Sequence, residues 1–532
     1  MNYKKTSLAS FITAALLASS CSLVGPDYAT PEAAIEKNWA SSPDGVDKKD
    51  SGKLLATWWQ VFHDPVLDKL IAEARKDNLG LQAAGVRIAE ARAQLGITTG
   101  TLYPQQQQAR GGLTRQQVSM HTANTSPAID RFFTTNNIGF DVGWELDVWG
   151  KFRRGIEASE ANLDASIANY DDTLVSITAE VARVYVGIRT AEALIQVANE
   201  NVKIQQRTLD IAKALYNGGV MTEIDYLQAE NLLHNTLATI PPLEAQLQQA
   251  KNALNVLLGK PVGTIDGYLK DKKPIPVAPI YAAVGMPADI LRRRPDIRMA
   301  ERQLAAQSGL IGVAEADLYP HFSIVGSISL SASDAALTYA SMGGSTLGHL
   351  FSANSFQYGI GPSVSWNIFN YGRIKNQVRM EDARFQTLIS AYQQTVLNAG
   401  REAESALSGF VNAQKRYQEQ EKSYQAARRS TNLSLYQYQE GLVDYQRVLD
   451  SQRSLAAAQD AATRSYSEIS INLIALYKAV GGGWETRTEQ DFIPEKIKQQ
   501  MDKRTDWGDL MKPQNLKLPE QERNRTLRAP DW

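Results

Sequence analysis

The stretch Phe140-Asp141-Val142-Gly143-Trp144-Glu145-Leu146-Asp147-Val148, running on through Trp149 and Gly150 to Tyr216, decides the fold. Its first nine residues alternate strictly: Phe140, Val142, Trp144, Leu146 and Val148 fall on one side, Asp141, Gly143, Glu145 and Asp147 on the other. A period of two marks a strand with one greasy and one wet face. From Gly150 the period changes, with apolar residues mostly three or four apart at Ile156, Leu163, Ile167, Tyr170, Leu174, Ile177, Val181, Val184 and Ile188. That is a helical seam with coiled-coil spacing. No proline interrupts it before Tyr216. At about 1.5 Å per residue the helix can reach roughly 100 Å, several times the width of a small domain. A greasy strand feeding straight into so long a helix implies one end in a membrane and the other far out in water.

The 532 residues are 43% apolar but only 8% aromatic, and glutamine and alanine dominate long segments. Helical rods bury narrow seams and have such compositions. Formal net charge is -1, so the overall balance draws neither nucleic acid nor an anionic bilayer. The single cysteine, Cys21, excludes an intrachain disulfide and a thiolate-rich zinc site. Residues 1–20 read as an export signal: Lys4 and Lys5, an apolar run from Leu8 to Leu17 too short to span a bilayer, then Ala18, Ser19 and Ser20. Cys21 directly after the small residues makes it the expected site of lipid attachment, as the acylated N-terminus of a bacterial lipoprotein. Leu17 stands one place early for that motif, so a plain cleaved signal is the alternative. Ser22 is not the aspartate that resembles an inner-membrane retention signal, which points outward. Residues 21–57 read as an extended linker, rich in Pro, Ser, Asp and Lys.

Beyond the linker the chain is written twice. Leu102-Tyr103-Pro104 recurs 216 residues on as Leu318-Tyr319-Pro320. Trp144, Gly219 and Gly259 recur 222 residues on as Trp366, Gly441 and Gly481, so the second copy holds about six extra residues between its strands. The first repeat, 58–284, is expected to carry short helices, strands about 105–116 and 137–149, and long helices about 150–217 and 221–258. The second, 285–484, is expected to carry strands about 321–331 and 356–369 and long helices about 371–440 and 443–480. The first strand is mostly glutamine and has no greasy face, and Pro362 is awkward in the fourth because it cannot donate to a ladder. Four strands cannot close a barrel, and an open sheet would leave unpaired edges in lipid. Several copies must pool their strands, and a trimer gives twelve. Residues 485–532 read as a polar tail, disordered by default, with pinning by tryptophans such as Trp507 and Trp532 to the belt around the middle of the rod or to a periplasmic partner as the rival.

Five stretches carry a family resemblance: Trp58-Trp59 through Asp64-Pro65, Leu291 to Arg298, Gly361 to Trp366, Leu449 to Ser454, and Leu476 to Trp484. Over residues 15 to 484 the chain resembles an outer membrane factor, the TolC-like exit duct of tripartite efflux pumps, and more narrowly the OprM-like lipoprotein channels served by RND pumps. The resemblance implies an α+β membrane protein that forms a homotrimer. Its twelve-stranded outer-membrane β-barrel would continue into a long periplasmic α-helical barrel with a belt of short helices. Its partners would be a periplasmic adaptor, or membrane fusion protein, and an inner-membrane pump, and it would sit in outer membrane lipid. Neither a catalytic step nor a cofactor is implied. Drugs or other small toxic compounds would pass through. Type I polypeptide secretion and metal-ion efflux remain the alternatives on the same architecture, and a poreless periplasmic coiled-coil scaffold lipoprotein is the alternative outside it.

Two turns carry the remaining chemistry. Around Gly219 and Gly441 the chain must reverse, with Val220 and Leu442 next in line and Thr222 close behind. Packing within each turn is one reading, and adaptor docking, which resembles the family's tip motif, is the other. Asp450 and Arg453 lie three apart on one helix face, as do Arg447 and Asp450. The resemblance makes Asp444, Asp450 and Arg453 the candidate periplasmic gate; ordinary solvated ion pairs are the alternative. Gln446 stands where the family tends to place an apolar constriction. The run Arg292-Arg293-Arg294 reads as a solvated helix start, and the five histidines and nine methionines are scattered without metal-ligand spacing.

Overall fold

The computed structural model describes residues 23–34, 46–47, 55–121, 131–279, 282–283, 293–334, 347–489 and 491–511. Cys21, the signal segment, Arg292 and Trp532 lie outside the described residues. The elements run α1 (Pro65–Asp77), α2 (Leu79–Gly100), β1 (Gln106–Gln117), β2 (Phe132–Leu146), α3 (Lys151–Asn217) and α4 (Glu223–Leu257). They continue with α5 (Pro295–Ala316), β3 (His321–Ser333), β4 (Phe356–Ser365), α6 (Arg373–Gln439), α7 (Tyr445–Ala479) and α8 (Glu495–Asp502). The duplication is visible in the lengths: α3 and α6 each have 67 residues, α4 and α7 each 35, α2 and α5 each 22.

The four strands form one antiparallel sheet in the order β1-β2-β3-β4, so β1 and β4 are both edges. Register gathers the apolar residues on one face. Phe140 lies opposite Ile328 and Trp144 opposite Ile324, while Ile328 in turn faces Tyr358. The other face is polar, with Asp141 opposite Ser327 and Arg110 ion-paired to Asp141 at 3.1 Å. Pro362 sits on an edge strand, where a missing donor costs least. Strand β1 forms despite its glutamines because it pairs with β2 along its whole length, which satisfies every backbone group that faces β2. β2 ends at Leu146, three residues before the expected end of the strand at 149. There Asp147 turns to accept hydrogen bonds from Phe152 N (3.0 Å) and Arg153 N (3.0 Å), satisfying two of the free amides that open α3. No described helix is long and apolar enough to cross a membrane.

The largest core lies at the waist of the rod. Trp58 is fully buried, stacked on Tyr477 at 5.3 Å and meeting Trp59 edge-on at 5.9 Å. Asp64 caps α1 through Val66 N (2.9 Å) and accepts from the buried Tyr185 hydroxyl at 2.6 Å, which in turn accepts from Arg189. The Trp58–Pro65 stretch is thus a plug that locks α1 onto the long helix α3.

Two expectations are corrected here. Arg294 is buried, not solvated: it ion-pairs Asp296 (2.7 Å) and Glu402 (2.9 Å) and donates to Ala479 O at 2.6 Å, tying the start of α5 to the end of α7. The tail is not featureless as far as Met511. Phe492 and Ile493 are buried against Ile88, Ala89, Leu163 and Ile167, with Trp507 and Met511 packed alongside. Phe492 O lies so close to Gly85 that a Cβ there would stand 2.1 Å from it. Arg487 reaches the buried Asp171 at 2.8 Å. The apolar anchors and one buried charge outweigh the polar composition.

Candidate functional site at the hairpin tips

Helices α3 and α4 make one long hairpin, α6 and α7 the other. At the tips Gly219 (φ 72) and Gly441 (φ 71) take the left-handed conformation that glycine adopts without steric cost. Gly219 N donates to Tyr216 O (2.9 Å) and Val220 N to Leu215 O (3.0 Å); Gly441 N donates to Tyr438 O (3.0 Å) and Leu442 N to Gln437 O (2.8 Å). Both are Schellman caps, which satisfy carbonyls that the helix end would leave free. Such caps usually bury the residue after the glycine. Here Val220 is 77% and Leu442 71% exposed, so packing within the turn is not what these side chains do in the single chain.

Thr222 and Asp444 occupy equivalent positions and start α4 and α7 differently. Thr222 donates to Asp225 Oδ2 at 2.7 Å, whereas Asp444 caps its helix by accepting from Arg447 N at 3.2 Å. Further in, Asp450 is exposed on α7 and accepts from Gln446 Nε2 at 3.2 Å. Gln446 thus supports Asp450 at the level where an apolar constriction is otherwise expected. Arg453 is exposed on the same side. Among the described residues neither Asp450 nor Arg453 makes an ion pair within the chain, so the solvated pairs suggested by their spacing do not form. Their counterparts 222 residues earlier are Gln228 and Asn231, which places this charge in the second hairpin alone.

Beneath the tips lies a joint that sequence reasoning missed. Leu209 and Ala212 of α3, Ala229, Leu232 and Leu233 of α4, and Tyr445, Val448 and Leu449 of α7 form one buried cluster. Tyr438 meets Tyr445 edge-on at 5.6 Å and its hydroxyl donates to Met221 Sδ at 3.1 Å. Burial pushes the Tyr438 hydroxyl up to about 12 and raises Tyr445 further, so both stay neutral. Above the cluster the seam between α3 and α7 becomes polar: Gln452 donates to Thr208 Oγ1 (2.8 Å) and Asn201 to Gln459 Oε1 (2.9 Å). The available signal was Tyr216 and Tyr438, themselves 222 apart. No described group of three His, Cys, Asp or Glu side chains is arranged to hold a metal ion. What the geometry offers is two apolar tips, two exposed charges on α7 just inside one of them, and a greasy sheet at the far end.

The profile described as "Outer membrane efflux protein" matches residues 70–260 and 286–482, one block in each repeat. The chain belongs to that family. It is 30% identical over 478 residues to Nodulation protein T of Rhizobium leguminosarum bv. trifolii, covering 88% of this chain and 96% of the relative. It is 28% identical over 488 residues to a toluene efflux pump outer membrane protein, TtgC, of Pseudomonas putida, covering 91% of this chain and 97% of the relative. Its structure resembles that of the outer-membrane channel OprN, with a TM-score of 0.79 at 30% identity, covering 87% of this chain and 99% of the other. This outer membrane efflux protein is therefore of a channel and transport class. Its tail beyond residue 482 lies outside the family profile.

Proposed function

We propose that this outer membrane efflux protein is the passive exit duct of a tripartite pump of the RND type, working as a homotrimer that carries small toxic organic compounds outward. The observation that carries the reading is the open four-stranded sheet: one greasy face, two free edges, and a 67-residue helix leaving it in each repeat. Three copies would give twelve strands and a closed barrel, with the helices continuing as a periplasmic tube. TtgC, named for toluene efflux, supports an organic cargo.

At the outer end, Cys21 would carry the lipid. Two residues later the chain is held at the foot of the sheet, where Leu23 packs against Gly150 and Val24 N donates to Trp149 O at 3.1 Å. At the inner end, Val220 and Leu442, presented by Gly219 and Gly441 and flanked by Thr222, would dock the adaptor. Asp444, Asp450 and Arg453 from three subunits would converge on the axis as the resting gate, Arg453 meeting carboxylates of its neighbours. The inner-membrane pump would supply the energy. Planar-bilayer conductance of purified protein tests the reading: discrete channel openings support it, and a protein that forms trimers yet never conducts overturns it.

A further inference from the structure

The sidedness of the sheet determines what a closed barrel shows to its cargo. Residues opposite each other in a ladder share a face, so Asp141 of β2, Ser327 of β3 and Gly359 of β4 all stand on the polar one. That face becomes the lumen once the greasy face meets lipid. Small uncharged groups wall it: Ser323, Ser327, Ser329 and Ser331 of β3, Gly359 and Gly361 of β4. Among the described strand residues, the ionisable side chains on this face are Arg110, Asp141, Glu145 and His321. They come as two pairs. Arg110 Nε lies 3.1 Å from Asp141 Oδ2, bridging diagonally from β1 to β2, since the residue opposite Arg110 is Gly139. His321 Nδ1 lies 2.7 Å from Glu145 Oε1 at the inner mouth, beside Lys151 and Asp317, which pair with each other.

The Arg110–Asp141 pair stands well inside the passage, about 13 Å along the strand from Glu145. The Arg110 side chain is 58% exposed and that of Asp141 20%. A pair so open to water adds little to stability. Its weight is electrical. Twelve strands about 4.8 Å apart and tilted by about 40° close at a radius of about 12 Å. Three unit charges on such a wall change the concentration of a monovalent ion on the axis about fivefold, by Coulomb's law in water. Three arginines alone would therefore draw anions and repel cations, and three aspartates alone would do the reverse.

We propose that the Arg110–Asp141 pair is the element that sets charge selectivity in the middle of the barrel. Each guanidinium cancels the carboxylate beside it, so a hydroxyl-lined passage admits uncharged cargo and ions of both signs alike. This rests on the homotrimeric duct reading and names the specificity-determining residues of its membrane section.

Reversal potentials of open channels of the full-length protein test it, under a potassium chloride gradient near about 0.01 M, where the screening length of about 30 Å exceeds the radius. Asp141→Asn leaves Arg110 unpaired and is expected to move the potassium-to-chloride permeability ratio at least about twofold toward chloride. Arg110→Gln should move it at least about twofold toward potassium. Either single variant carries the test if the other does not assemble. The double variant should return to the wild-type ratio, and Arg110→Lys, which keeps the charge, should stay at it. At about 1 M salt the screening length falls to about 3 Å, and all the ratios should converge. Conducting trimers with the wild-type ratio in either single variant overturn the assignment and leave the duct standing. Shifts that persist at about 1 M, or a double variant that does not return, overturn it as well, because distortion of the wall rather than its charge would then be the cause. Wild-type trimers that never conduct overturn the duct, and the filter with it.

Discussion

Asp450 and Arg453 stand exposed on one face of α7, with no ion-pair partner for either inside the described chain. Charges that stay unpaired within a subunit are free to pair between subunits, which is what a gate at a symmetry axis requires. Asp450→Ala or Arg453→Ala is therefore expected to raise resting conductance in planar bilayers and to alter drug sensitivity in cells. Unchanged values of both would remove these residues from the gate. Gln228→Ala, at the equivalent site of the first hairpin, should leave conductance as it was. A different residue, Asp64, contributes to the acid limb of stability. Burial pushes the Asp64 carboxyl up, but the Tyr185 hydroxyl, Val66 N–H and the Lys273 ammonium together hold it below its ordinary value of 3.8. The folded-state value is the lower one, so the stabilisation is full above the unfolded value and disappears as pH falls through the folded value. Asp64→Asn is expected to flatten the decline of the thermal midpoint below about pH 4. Tyr185→Phe should cost about 2 kcal/mol at neutral pH by removing a charge-assisted hydrogen bond. A wild-type acid limb in Asp64→Asn would show that other carboxylates govern it.

At the scale of elements, the tail and the hairpin turns behave as separate devices. The Arg487–Asp171 pair is almost fully buried, and removing one partner of such a pair typically costs about 3–5 kcal/mol. Asp171→Ala is expected to free residues 487–511 for tryptic cleavage while the remainder of the folded protein resists. Phe492→Ala should act in the same direction through lost packing. Equal protease resistance in both variants would show that the tail is held by something else. At the tips, Gly441→Ala puts a Cβ into the left-handed region and is expected to lower stability by about 1 kcal/mol without touching the exposed Leu442. How far these elements were legible depends on whether their signal was periodic. The long helices declared themselves by a period near 3.6 and by glycines 222 apart, and the strands of greasy face by alternation. The register-forced strand β1 carried almost no signal of its own. The tail was half legible: pinning through Trp507 was one of its two readings, but the docking itself rests on a few apolar side chains among charges, and on Gly85, whose need for hydrogen at Cα appears only when Phe492 O approaches it. The tip positions could be named from sequence, but the Tyr438–Tyr445 joint beneath them could not, since it brings α7 of the second hairpin onto α3 and α4 of the first, which are distant from it in the chain.

For the whole molecule, the sheet sets the register in which subunits would have to join to close a barrel. Its greasy face uses even-numbered residues on β2, β3 and β4 but odd-numbered residues on β1, because Phe140 lies opposite Ala109. Residues opposite each other in a ladder share a face, and a slip of one turns every side chain over. A barrel closed by β4 of one subunit against β1 of the next must therefore set even positions of β4 opposite odd positions of β1. Copying the β2–β3 register supplies the alignment once the strand offset is taken as 215, the distance from the start of β1 at Gln106 to the start of β3 at His321. Phe140 opposite Ile328 then becomes Pro362 opposite Leu113 of the neighbouring subunit, and two residues along Val364 falls opposite Gly111. Val364→Cys with Gly111→Cys should cross-link between subunits with a short bifunctional thiol reagent, because both side chains point to the same face about 5 Å apart. Val364→Cys with Gly112→Cys should not, because the second thiol lies on the lumen side. Cross-linking by the Gly112 pair and none by the Gly111 pair would mean that the strands meet one residue out of this register. The greasy girdle would then break at each of three seams, a barrel that lipid does not tolerate.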